Sequence, residues 1–261
     1  MPAQNVAVKA VVTPLLIGGA SLAGRRFGHH VGGWVVGLPL TSGPAAFFLA
    51  TDHGTAFAGG AALGMLAGTS SQVAFALAYR SAARRGPARA WLAGCAAFAA
   101  ATGTLSFLHW PALPTFALVL VALVAGYAAT ARRAPGPPSE PTRPPRWDIP
   151  VRMLAATAVV VLITALAPVL GSHLAGLLSP FPVFGAVLAV FTHRSHGDAG
   201  AMQVLDGLLL GLLAPAVFFL VLALSLPGVG LLAFAVATAA ALAAQAVSIL
   251  AVPRDRQPAV P

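Results

Sequence analysis

The chain of 261 residues is predicted to be an all-α polytopic membrane protein. About nine transmembrane helices are expected, as two inverted four-helix repeats joined by a central helix. Three observations predict this. First, 58% of the residues are apolar and only 8% charged, where soluble domains carry about 25% charged residues. Second, the apolar residues come in blocks of roughly 20, the length that crosses a bilayer. Third, one threading of those blocks places fourteen of the fifteen basic residues on one side and Lys9 alone on the other.

The threading runs through Val6 to Ala23, Val31 to Thr51, Thr55 to Tyr79, Trp91 to Leu108, Thr115 to Ala131, Val151 to Leu170, Leu174 to Thr192, Ala201 to Leu224 and Val229 to Val252. With the amino terminus outside, the inside segments hold Arg25 and Arg26, then Arg80, Arg84, Arg85 and Arg89, then the five arginines from Arg132 to Arg152, then Arg194, and finally Arg254 and Arg256. Cytoplasmic loops are the ones enriched in Lys and Arg, so the linker and the carboxyl terminus are expected in the cytoplasm. Arg outnumbers Lys fourteen to one, a bias of GC-rich bacterial genomes, and the expected location is a bacterial cytoplasmic (inner) membrane. A signal-peptide reading of the first block, cleaved after Ser21-Leu22-Ala23, would invert every later loop against its charges. A retained helix is therefore expected.

Four regions result: residues 1–131, a first membrane repeat with its connecting helix; 132–150, a cytoplasmic linker; 151–252, a second repeat; and 253–261, a cytoplasmic tail. The linker has seven prolines in nineteen residues and no apolar periodicity, which makes it stiff and solvated. Its arginines can also meet anionic headgroups, at about 1 kcal/mol each, although setting topology is the plainer use. The net charge of +9 lies between spans rather than on a polar face, so nucleic acid is not an expected partner. The bilayer is. Cys95, the single cysteine, is expected to pack as a small hydrophobe.

The two halves resemble one another. Gly37-Leu38 followed by Pro39 and Pro44 parallels Gly176-Leu177 followed by Pro180 and Pro182, and His53-Gly54, Gly64, Gly68 and Phe75 reappear as His196-Gly197, Gly207, Gly211 and Phe218, each 143 residues on. Five crossings separate equivalent helices, so the repeats should face opposite ways, a plan that recurs among secondary transporters. Each half has a broken element inside a span, Gly37 to Pro44 and Gly176 to Pro182. Proline frees carbonyls that lipid cannot satisfy, and the hydroxyls of Thr41, Ser42 and Ser179 are expected to satisfy them. Half-helices beginning near Gly43-Pro44 and Pro182 would present unpaired N–H groups. The expectation is a small-solute or anion site between the breaks, against the plainer reading of kinks repaired by neighbouring helices.

The run Ala175-Gly176-Leu177-Leu178-Ser179-Pro180-Phe181-Pro182-Val183-Phe184, with a His-bearing turn after it and Pro215 in the next span, resembles the GlpM family of small bacterial inner-membrane proteins. The resemblance covers about Val151 to Leu250, and A-G-L-x-x-x-F-P-x-F is its most specific part. The first half departs from it, with Gly43-Pro44 where Phe181-Pro182 stands and Gln72 where Pro215 stands. The resemblance implies a fused, diverged tandem of two such units, a loose link to glycerol phosphate and envelope polysaccharide metabolism, and no catalytic residues.

Among polar groups at depth, Thr69-Ser70-Ser71-Gln72 is the most polar stretch, and Thr69, Ser71 and Gln72 are candidates for solute contact. Ser and Thr can instead bond back one turn, but Gln72 needs a partner across the bundle, and Thr41, Ser42 or Gln245 is expected. Asp206 is the one carboxylate inside a span and a candidate for proton coupling; the alternative pairs it with Arg194 or His193. His193, His196 and Asp198 match no closed metal site. No metal or other cofactor is expected. Gly64 with Gly68 and Gly207 with Gly211 predict close helix contacts, inside the fold or in a homo-oligomer. Trp34, Trp91, Trp110 and Trp147 are expected at interfaces. There is no phosphate-cradling glycine loop with lysine, no zinc-helix motif and no nucleophile elbow, so an enzyme is not expected. The leading expectation is a small-solute permease; the alternative is a non-transporting scaffold or regulator of envelope metabolism.

Overall fold

The computed structural model describes residues 38–131 and 147–250, together with Val11 and Leu15. The rest of the first predicted span, most of the linker and the tail lie outside the described residues, as do Trp34 and Gly37.

The described residues fold into helices with no strand. Helix α1 spans Ser42–His53, α2 Thr55–Ala82, α3 Pro87–Leu105, α4 Ala112–Ala131, α5 Asp148–Leu178, α6 Val183–Gly211, α7 Leu213–Val229 and α8 Leu232–Leu250. Three stretches are long and apolar enough to cross a membrane, Thr55–Arg85, Ala112–Thr130 and Val183–Val229; Ala165–Leu178 and Leu232–Val247 are shorter apolar helices. The boundaries differ from the sequence expectation chiefly in the second half, where one helix, α6, also runs from the seventh predicted span into the eighth and ends within it at Gly211. The sixth predicted span and the start of the seventh form one helix, α5, bent at Gly171 (φ 73), and the seventh span is split between α5 and α6 by the break at Ser179–Pro182.

Glycine supplies the sharp corners. Gly54 (φ 88, ψ 164) separates α1 from α2, and Gly197 (φ 68, ψ −170) bends α6. That backbone region is open to glycine almost alone, and the two glycines are 143 residues apart. Gly86 (φ 95) then hands over to Pro87 at the first position of α3, where the missing N–H costs nothing. A single-residue interruption parts α6 from α7 at Leu212, because Pro215 has no N–H to offer the carbonyl of Gly211. Gln72, at the equivalent place in α2, keeps that helix a continuous rod of 28 residues.

Helix α2 is the hub and packs against α1 and α3 through α7. Its approach to α5 is backbone on backbone. A Cβ added to Gly64 would lie 2.4 Å from the carbonyl oxygen of His173, one on Gly68 2.8 Å from that of Leu177, and one on Gly176 2.2 Å from that of Ala61. Small residues at four-residue spacing allow this closeness, so the Gly64 and Gly68 face is used inside the fold, as expected. Tyr79, Phe75, Phe219, Met65 and Leu205 fill the core. The outer faces are apolar too: Val124, Leu154, Val169, Leu232 and Val236 are each more than half exposed. A soluble protein rarely shows so wide an apolar surface. Trp91, Trp110 and Trp147 are exposed as well.

Candidate functional site

The two breaks meet at one small cavity. Its walls are Leu38 to Ser42 from the first break, Pro180 and Pro182 to Gly185 from the second, Thr69 and Gln72 from α2, and Leu208, Pro215 and Phe219 from α6 and α7. Its volume is about 20 Å3, room for about one water.

The breaks share one local geometry. Leu40 N–H donates to Leu38 at 2.7 Å and Gly43 N–H to Pro39 at 2.8 Å; in the second break Val183 N–H donates to Phe181 at 2.8 Å and Ala186 N–H to Pro182 at 2.7 Å. Donors and acceptors match at a spacing of 143, which pairs Pro39 with Pro182. The Gly-Leu dipeptides, read as equivalent from the sequence, are 139 apart, whereas the tight turns match Leu38 with Phe181 rather than with Leu177. Five pairs of cavity-lining residues follow the 143 spacing: Pro39 and Pro182, Leu40 and Val183, Thr41 and Phe184, Ser42 and Gly185, Gln72 and Pro215. The polar members of the last three pairs all belong to the first half.

The freed carbonyls are not satisfied as the sequence suggested. Gln72 Nε2 donates to the carbonyl of Pro180, so its partner is the second break rather than Thr41, Ser42 or Gln245. The carbonyls of Leu38, Pro39, Phe181 and Pro182 accept from the turns just described, Thr41 accepts from Ala45, and Leu178 from Phe181. Ser179 Oγ donates to Ala175 in its own helix at 2.7 Å and is not part of the cavity wall. Thr69 lines the cavity, but its hydroxyl donates to Met65 at 3.1 Å. Ser71 Oγ accepts from Thr102 at 3.0 Å and faces α3. Thr41 and Ser42 do line the cavity, and Ser42, only 4% exposed, has no side-chain partner among the described residues. Gly43 and Pro44 stand on the other side of α1, with Phe47, Phe48, Phe218 and Phe234, along an apolar groove of about 400 Å3.

Asp206 pairs with Arg80 of α2, not with Arg194 or His193. The Arg80 guanidinium is buried and also donates to the Thr130 carbonyl at 3.3 Å. His193 Nδ1 meets the Tyr79 hydroxyl at 3.2 Å, and Arg194 is exposed. Arg80 was legible. Thr69, Val73, Ala76 and Arg80 form one buried stripe at spacings of three and four, yet the basic residues were read only as loop charges. Asp198 Oδ1 accepts from Ala199 N–H at 2.9 Å, just after the Gly197 bend. Among the described residues no group of His, Cys, Asp or Glu could hold a metal ion.

At the far end of the bundle the rings of His109 and His173 stack, 4.6 Å apart, and a Cβ added to Gly59 would lie 3.5 Å from the Pro227 ring. Arg80, Thr130, His193 and Asp206 cluster at one end; residues 59, 109, 173 and 227 lie towards the other. No family model, curated protein or solved structure matches the chain.

Proposed function

We propose that the protein is a multi-pass bacterial inner-membrane permease whose small solute is held between two broken helices, in two oppositely oriented repeats joined by α4. The carrying observation is the cavity between the breaks, lined by residue pairs at the 143 spacing. A tandem duplication explains that spacing, since paired positions around one cavity are what a twofold axis in the membrane plane would produce. Nine spans, an outside amino terminus and a cytoplasmic carboxyl terminus complete the reading, and the segregation of basic residues supports them. The GlpM-like run Ala175 to Phe184 contains the second break, which supports kinship of each half with a single unit of that family. No enzymatic activity is assigned, because neither the cavity nor the Arg80–Asp206 pair offers a nucleophile with its base.

Substrate flux in proteoliposomes tests this reading, using a solute panel and the Gln72→Ala variant. Flux that requires Gln72 is expected. One observation favours the scaffold alternative: at about 20 Å3 the cavity holds roughly one water, so a carrier must open it. Cysteine placed at Thr41 or Ser42 decides between them. Labelling by a water-soluble thiol reagent is expected for the carrier, and complete protection would establish the scaffold.

A further inference from the structure

We propose that the cavity between the two breaks binds one small monovalent anion of halide size, coordinated by the hydroxyls of Thr41 and Ser42 and by the N–H groups of Ser42 and Gly185 at the starts of α1 and α6. This deepens the permease reading and rests on it for the place of the solute.

The groups at the cavity are unbalanced in favour of donors. The carbonyls of Leu38, Pro39, Thr41, Pro180 and Pro182 already accept hydrogen bonds. Leu40's carbonyl is left over, because Pro44 has no N–H to give it. Against that one acceptor stand the hydroxyls of Thr41 and Ser42 and the N–H groups of Ser42 and Gly185, since the N–H groups of Gly43, Ala45, Val183 and Ala186 are taken by the turns and Pro44 has none. Ser42 is 96% buried, being 4% exposed, lines the cavity and donates to nothing among the described residues. An anion that accepts the Ser42 proton gives this hydroxyl the partner that the described residues do not supply.

Charge points the same way. Helix α1 starts at Ser42 and α6 at Val183, and both starts line the cavity. Each helix amino end carries roughly half a positive charge, so the pair supplies about one, which matches a monovalent anion. No ionisable residue is in the wall, so there is no cation to neutralise a second negative charge and no carboxylate to attract a metal ion. The volume of about 20 Å3 excludes sulfate or phosphate and suits a water-sized ion.

The test uses the full-length protein in nanodiscs, with sodium bromide or chloride titrated against sodium gluconate at constant ionic strength and thermal unfolding as the readout. A saturable rise in melting temperature with halide is expected, unchanged when choline replaces sodium. Ser42→Ala should raise the apparent halide Kd roughly tenfold, since a hydrogen bond to a charged group is lost, and Ser42→Thr should keep it near the parent value. If Ser42→Ala does not fold, Thr41→Val gives the same reading. No halide dependence, equal dependence in both variants, or dependence on the cation overturns the proposal. Its fate separates from that of the permease. Saturable halide binding without flux of any solute overturns the permease and keeps the anion site. Gln72-dependent flux of an uncharged solute without halide dependence does the reverse.

Discussion

The side-chain amide of Gln72 donates to the carbonyl of Pro180, joining the middle of α2 to the second helix break across 108 residues of sequence. One side chain thereby satisfies a break carbonyl that no backbone N–H reaches among the described residues. Gln72→Leu keeps the volume and removes the donor, leaving a carbonyl at depth without a partner. We expect a loss of about 1–3 kcal/mol, read as a lower melting temperature in detergent, with no loss for Thr104→Val, whose hydroxyl bonds only within α3 and is exposed.

The contact of α2 with α5 leaves no room for a methyl group. Gly176→Ala would put a Cβ 2.2 Å from the Ala61 carbonyl and Gly64→Ala one 2.4 Å from that of His173, and in both cases the obstruction is backbone. Overpacking of this kind costs about 1–3 kcal/mol or more. Gly103, on the exposed face of α3, would meet nothing within 4 Å, and Gly103→Ala should gain about 0.5–1 kcal/mol. Thermal unfolding of the three variants, ranked in that order, is the check.

The ion pair of Arg80 with Asp206 ties α2 to α6. Arg80→Met alone takes the Arg80 guanidinium away from a carboxylate that is 21% exposed, and a cost of roughly 3 kcal/mol is expected. The double variant with Asp206→Leu should recover most of it. Additive losses in that cycle would show that the pair carries no coupling.

Acid should loosen the end of the bundle where His109 and His173 stack. His173 lies two residues past the Gly171 bend of α5, between the predicted sixth and seventh spans, and burial holds its pKa below the ordinary histidine value, with the neighbouring His109 acting in the same sense. The folded form therefore favours neutral His173, while the unfolded chain takes up its proton near pH about 6.5. The stability this contributes is complete above that pH and is lost as pH falls through the lower folded value. Melting temperature measured from pH 8 to pH 5, on a scale of about one unit steps, should drop on the acid side, and His173→Phe should flatten the profile.

Orientation has its own check. A reporter fused after Pro261 should be active only in its cytoplasmic form, since fourteen of fifteen basic residues thread to the side that holds the carboxyl terminus.

The sequence by itself determined that the chain is helical and apolar, where its breaks lie, and which glycines permit close contact. Helix length, proline's missing N–H and glycine's missing Cβ are properties of a residue and its near neighbours, so Gly64, Gly68, Pro39 and Pro182 could be placed by inspection. Tertiary structure alone decided who meets whom. That Gln72 would choose Pro180, that Asp206 would choose Arg80 over Arg194, and that Ser179 would turn back on its own helix depended on distances set by α2 lying against α5 and α6. Thr41 and Ser42 kept their hydroxyls at the cavity because the tight turns after Leu38 and Phe181 had already used the break carbonyls. A hydrogen-bond donor's partner is fixed by which acceptors the packing leaves over, and no local pattern records that.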